Sequence, residues 1–157
     1  MEELSLHILD IVENSVSAGA TLVEIRIEYR FGEKPWLTIT VRDNGRGMSP
    51  EVAGRVSDPF YTTRTTRKVG LGTALFRQTA ELAGGSFRVW SEPGKGTEVT
   101  AELNPLHLDA VPMGECWSRP VPGWNWYCTP SVTDGSSPLI PGSSGKFLAM
   151  CLWIRRR

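Results

Sequence analysis

Between residues 3 and 18 the apolar positions recur at helical spacing. Leu4, Ile8, Leu9, Ile11, Val12 and Val16 make one face of a predicted helix. Gly19 is placed to end it. His7, Asp10, Asn14 and Ser17 share another face, a polar stripe that meets either solvent or a ligand. The period then changes to two. Over 22–30, Leu22, Ile25, Ile27 and Tyr29 are assigned to one side and Glu24, Arg26, Glu28 and Arg30 to the other. Over 36–42, Leu37, Ile39 and Val41 point inward, so 22–42 reads as a β-hairpin. Ser49-Pro50 opens a short helix, with Ser as N-cap and Pro in the first turn. A basic, Thr-rich stretch over 58–69 has no apolar face and reads as a loop. A helix follows from about Leu71 to Ala83, with Leu75, Phe76, Thr79, Leu82 and Ala83 near one face, and Gly84-Gly85 stops it. Residues 86–91 and 97–103 read as a second hairpin around Glu92-Pro93-Gly94-Lys95-Gly96. Helices segregated to one face of such a sheet make a two-layer α/β sandwich with a mixed, mostly antiparallel sheet.

The patterning fades after Leu103. Seven prolines punctuate 104–157, and Gly-Ser clusters lie at 135–137 and 142–145. Composition changes at the same place. The chain has 157 residues and no formal net charge. Residues 1–103 carry a small acidic excess, and 104–157 a basic one together with all three cysteines. The expected division is therefore a folded domain over 1–103 and an irregular Pro/Gly/Ser/Trp-rich extension over 104–157. That extension reads as unstructured chain, a partner-binding peptide or the product of a shifted reading frame.

Composition also excludes some functions. Zero net charge argues against a dedicated duplex-DNA binder, which needs excess Lys and Arg to displace counterions. The longest apolar run, Phe147 to Ile154, is too short for a membrane span. The cysteines are odd in number, with no C-x-x-C pair, which disfavours a disulfide framework or a zinc site. With no secretory pattern after Met1-Glu2-Glu3, a cytoplasmic location is expected.

Several glycine-rich motifs fail on inspection. Gly94-Lys95-Gly96-Thr97 lacks the Gly-Lys-Ser/Thr order of a Walker loop. After Gly70-x-Gly72, position 75 is Leu rather than the third Gly of a dinucleotide fingerprint. Read from Asp43, an EF-hand would need ligands where Gly45 and Gly54 stand.

Four pieces remain, in order. They are the helix with Asp10 and Asn14, the strand end Asp43-Asn44-Gly45-Arg46-Gly47, Gly70-Leu71-Gly72 opening a helix, and Gly94-Lys95-Gly96-Thr97 between two strands. Together they resemble the GHKL ATP-binding (Bergerat) fold of gyrase-type topoisomerases, heat-shock chaperones, histidine kinases and mismatch-repair ATPases. Val12-Glu13-Asn14-Ser15 with Ala18-Gly19-Ala20-Thr21 is similar to the first box of the mismatch-repair branch. Asp58-Pro59-Phe60-Tyr61-Thr62-Thr63-Arg64 followed by Gly70-Leu71-Gly72 is similar to the lid of histidine-kinase ATPase domains. The resemblance covers about residues 1–103 and is closest to a stand-alone histidine-kinase-like ATPase domain.

The resemblance implies ATP and Mg2+ as cofactors and a role for each matched residue. Asp43 would read adenine, with Thr97 supporting that contact through water and Gly45 and Gly47 letting backbone approach the ring. Asn14 would hold Mg2+. Gly70, Leu71 and Gly72 would present helix-opening amides to phosphate, and Phe60, Arg64 and Lys68 belong to the nucleotide-facing lid. Asp10 stands where hydrolytic members carry a Glu general base, shorter by one methylene. His7 lacks the helical hairpin that presents a phosphoacceptor, so a structural role is expected. The implied function is a kinase or ATPase module acting on a separate partner protein, with a homodimer left open. The alternative is a non-catalytic module whose lid orders on ATP binding.

Overall fold

The computed structural model describes residues 3–30, 33–56, 72–112, 124–132 and 146–155. Helix α1 spans Leu4–Ser17, strand β1 Leu22–Arg30, β2 Trp36–Asp43, and the short helix α2 Pro50–Arg55. Helix α3 spans Gly72–Leu82, β3 Ser86–Glu92 and β4 Gly96–Leu103. Strands β5 (Trp124–Val132) and β6 (Lys146–Arg155) follow. The strands form one sheet in the order β3-β4-β2-β1-β6-β5. All described pairings are antiparallel, in keeping with the mostly antiparallel sheet expected, and the parallel part of a mixed sheet is not among them.

Helices α1 and α3 pack on one face of this sheet. Leu4, Ile8, Ile11 and Val12 of α1 meet Phe76, Ala80 and Ala83 on and just beyond α3. Beneath them lie Val23, Ile25 and Ile27 of β1, Leu37, Ile39 and Val41 of β2, and Val99, Ala101 and Leu103 of β4. Burying such side chains contributes about 1.5–3 kcal/mol each, which offsets the entropy of ordering the chain. Two positions differ from the sequence reading. Val23 rather than Leu22 faces the core, because strand parity puts Leu22 with Glu24 on the outer side. Leu82 is exposed, because six residues beyond Phe76 turn it about 120° from the buried stripe.

Both long helices end in the same way. At α1, Gly19 N–H donates to Val16 C=O and Ala20 N–H to Ser15 C=O. At α3, Gly84 N–H donates to Glu81 C=O and Gly85 N–H to Ala80 C=O. Gly19 and Gly84 have φ of 78° and 73°, the left-handed conformation that this paired cap requires. Each cap turns the chain directly into a strand. Ser49 caps α2, its Oγ accepting from Val52 N–H, as expected.

Packing continues past Leu103. Asn104 N–H donates to Ala83 C=O, Leu4 N–H donates to Pro112 C=O, and Ala110 and Val111 pack against the core. The segment read as irregular also contains β5 and β6, with β6 antiparallel to β1. Residues 147–154 form a continuous apolar run without period-two alternation, so periodicity did not mark them as a strand. Pro130 lies in β5, an edge strand, where its missing N–H is tolerated.

Candidate functional site

Register across three strands builds the site. On the helix-facing side, Val89, Val99 and Val41 make one rung across β3, β4 and β2. The next rung toward the end of the sheet is Ser91, Thr97 and Asp43. An apolar floor thus becomes polar in one step, and Asp43 remains buried there at 8% exposure.

A buried carboxylate needs donors, and Asp43 has three. Ser15 Oγ donates to Oδ2 at 2.7 Å. Gly45 N–H and Thr97 N–H donate to Oδ1 at 2.8 and 3.2 Å. A carboxylate offers about four lone-pair sites. One acceptor position is left, on Oδ2.

The turn after Asp43 is held from both sides. Asn44 Oδ1 accepts from Thr21 N–H and Leu22 N–H, and its Nδ2 donates to Thr21 Oγ1. Arg46 N–H donates to Ala18 C=O, and Gly94 N–H donates to Arg46 C=O at 2.7 Å. Met48 N–H donates to Ser91 Oγ at 2.8 Å. A Cβ at Gly47 would lie 2.0 Å from Glu92 O, and φ there is 67°. One at Gly45 would lie 3.0 Å from Ala18 Cβ. Both glycines therefore let the turn approach its own protein neighbours.

Asp10 and Asn14 stand one turn apart on α1, toward the start of α3. A Cβ at Gly72 would come within 2.5 Å of Asp10 Cβ, so only glycine lets α3 begin against this side chain. Asp10 is exposed in part, yet its pKa is raised, first by burial, then by the Glu13 charge, with His7 opposing. Among the described residues neither Asp10 nor Asn14 has a side-chain hydrogen bond. His7 is buried between the helices, its Nε2 3.1 Å from Thr79 Oγ1 and its ring stacked on Phe76. That is the structural setting expected for it.

The structure thus brings Asp43, Gly45, Gly47 and Thr97 together and sets Gly72 against Asp10, with Asn14 one helical turn further along α1. Phe60, Arg64, Lys68, Gly70 and Leu71 lie outside the described residues. Sequence reasoning missed Ser15 and Ser91. Each had a signal: a hydroxyl at an apolar-stripe position of α1 after Ile8 and Ile11, and one at the inward position after Phe87 and Val89. Among the described residues no group of three or more His, Cys, Asp or Glu could hold a metal. No described helix is long and apolar enough to cross a membrane.

Helices on one face of an antiparallel sheet, with a buried carboxylate at a strand end, define the two-layer α/β sandwich that the four motifs anticipated. Residues 2–107 match the family described as Histidine kinase-, DNA gyrase B-, and HSP90-like ATPase, and the chain belongs to it. It is 35% identical over 106 residues to the Sensor protein kinase FleS of Pseudomonas aeruginosa, covering 68% of this chain and 25% of that one. It is 33% identical over 102 residues to the Signal transduction histidine-protein kinase AtoS of Escherichia coli K12, covering 65% and 17%. Among solved structures, the Mycobacterial sensor histidine kinase MprB aligns at a TM-score of 0.46 and 21% identity, covering 62% of this chain and 66% of that one. The chain spans a quarter or less of the length of these curated relatives. It carries an ATP-binding module of the histidine-kinase-like type.

Proposed function

We propose that this module binds ATP with adenine read by Asp43 and phosphates held toward the start of α3, and that it acts on a separate partner protein as a kinase or ATPase unit. One observation carries the adenine assignment. Asp43 is buried, fixed by three donors, and left with a single acceptor position on Oδ2. An exocyclic amine supplies the missing donor. Thr97, next on the rung, lies beside the same edge.

The residues present fit Mg2+. The ion prefers hard oxygen ligands, keeps several waters and takes others from phosphates. A single amide oxygen from Asn14, one helical turn from the Asp10 carboxylate, suits that pattern. Mg2+ would supply charge neutralisation between phosphates. Gly72 at the α3 start adds the positive end of a helix dipole; the phosphate and lid roles that the resemblance implies for Gly70, Leu71, Arg64, Lys68 and Phe60 fall outside the described residues. Asp10 would orient or deprotonate water. Its raised pKa makes it a stronger base than an ordinary carboxylate.

Calorimetry with ATP, ADP and a non-hydrolysable analogue, with and without Mg2+, tests the reading. Mg2+-enhanced ATP binding is expected; no measurable binding of any nucleotide overturns it. Slow phosphate release that Asp10→Ala abolishes, with affinity kept, would assign the water-activating role. Turnover indifferent to that change would refute the water-activating role, and absent turnover would leave the nucleotide-responsive binding module as the better reading.

A further inference from the structure

The motifs assign no role to Ser91, yet its hydroxyl has the most fully determined bonding in the site. Three partners surround it. Met48 N–H lies at 2.8 Å and can only donate. Gly96 C=O lies at 3.0 Å and can only accept. Thr97 Oγ1 lies at 2.9 Å and could do either. A hydroxyl has one proton and two lone pairs. Only one arrangement satisfies all three contacts. Ser91 donates to Gly96 C=O, and Met48 N–H and Thr97 O–H both donate to Ser91.

This commits the Thr97 proton. On the adenine reading, with Thr97 meeting the base directly rather than through water, its oxygen is then an acceptor alone, beside the remaining acceptor position of Asp43. Resting on the adenine reading above, we infer that Ser91 is a positioning residue for base selection: it polarises Thr97 so that the pocket edge takes hydrogen-bond donors and rejects acceptors. A 6-amino purine presents a donor to that edge. A 6-oxo purine presents a carbonyl to acceptors that cannot turn. Without Ser91 the Thr97 hydroxyl rotates and donates to the carbonyl, so discrimination falls.

The test is calorimetry of the full chain with ATP and with inosine triphosphate. Wild type binds ATP more tightly. Ser91→Ala narrows the ATP-to-inosine ratio about tenfold, the scale of one hydrogen bond in a buried site. Ser91→Thr, which keeps the hydroxyl, restores the ratio. Thr97→Val narrows it to the same extent, and adding Ser91→Ala to Thr97→Val narrows it no further. Thr97→Val leaves Ser91 its Met48 and Gly96 partners, so it can still overturn the inference if Ser91→Ala is not recovered folded. Equal weakening of both nucleotides by Ser91→Ala marks a merely structural role and overturns the inference. So does an unchanged ratio in Thr97→Val. Wild type that binds neither nucleotide overturns the adenine reading, and this inference with it.

Discussion

Asp43 and Asp10 are two carboxylates of one site with opposite surroundings. Asp43 is buried and has three donors fixing its two oxygens. Asp10 is more open, has no side-chain hydrogen bond among the described residues, and has a pKa raised by burial and by Glu13. The contrast matches the two tasks proposed for them. Recognising a flat base demands an acceptor that cannot move. Handling phosphate, metal or water demands a carboxylate whose partners arrive with the ligand. Neighbouring glycines follow the same division: Gly47 gives way to the protein's own Glu92 carbonyl, and Gly72 to the Asp10 side chain.

The largest expected effect breaks the fixed end. Gly47→Ala forces a left-handed residue and drives its Cβ into Glu92, costing about 2–3 kcal/mol in chemical denaturation and most ATP affinity. Asp43→Asn comes next and is more selective. An Asn oxygen still accepts from Gly45 and Thr97. Its amide donates to Ser15, which turns its own proton to Ile11 C=O, 3.1 Å away. Stability should change by about 1 kcal/mol or less, while ATP affinity drops on the order of a hundredfold, because the base now meets a donor. Tight ATP binding by Asp43→Asn would refute the adenine assignment. Ser15→Ala removes one of the three donors to Asp43; a loss of about 1 kcal/mol and a few-fold weaker ATP binding are expected in melting and titration.

The smallest effect sharpens the open end through pH. A carboxylate whose folded pKa is raised binds its proton more tightly in the folded state, so it opposes folding once ionised. Its penalty is absent below the unfolded value, near 3.8, and complete above the raised folded value. Asp10→Asn should therefore melt slightly higher than wild type at pH 7. The gap should close as pH falls through the carboxylate range. A gap that widens toward acid would contradict the direction of this shift.

The sequence made much of the scaffold legible, and physical reasons mark where it did not. The α1 stripe and the two glycine stops were readable because period and cap chemistry are local. Val23 and Leu22 were confused because both are apolar and only strand parity separates them. Strand β6 lacks alternation, so only its continuous apolar run, and not a period of two, marked it in the sequence. Asp43 and Thr97 were found through the motifs. Ser15 and Ser91 were not: their inward positions in an apolar stripe and an inward strand face mark a buried hydroxyl, but its partners come from other elements. The lid residues Phe60, Arg64, Lys68, Gly70 and Leu71 lie outside the described residues.

The bonds at the polar rung also bear on folding. Ser15 meets Asp43 across 28 residues of sequence, Met48 meets Ser91 across 43, and Asp43 meets Thr97 across 54. Such non-local contacts must overcome loop-closure entropy before they contribute, so they form late and slow folding. The helices with their local caps can form early, but the rung of Ser91, Thr97 and Asp43 needs β2, β3 and β4 in register. During synthesis, the polar rung around Asp43 is incomplete until Thr97 has left the ribosome. A ligand that binds only that completed rung draws the folding equilibrium toward the native chain by mass action.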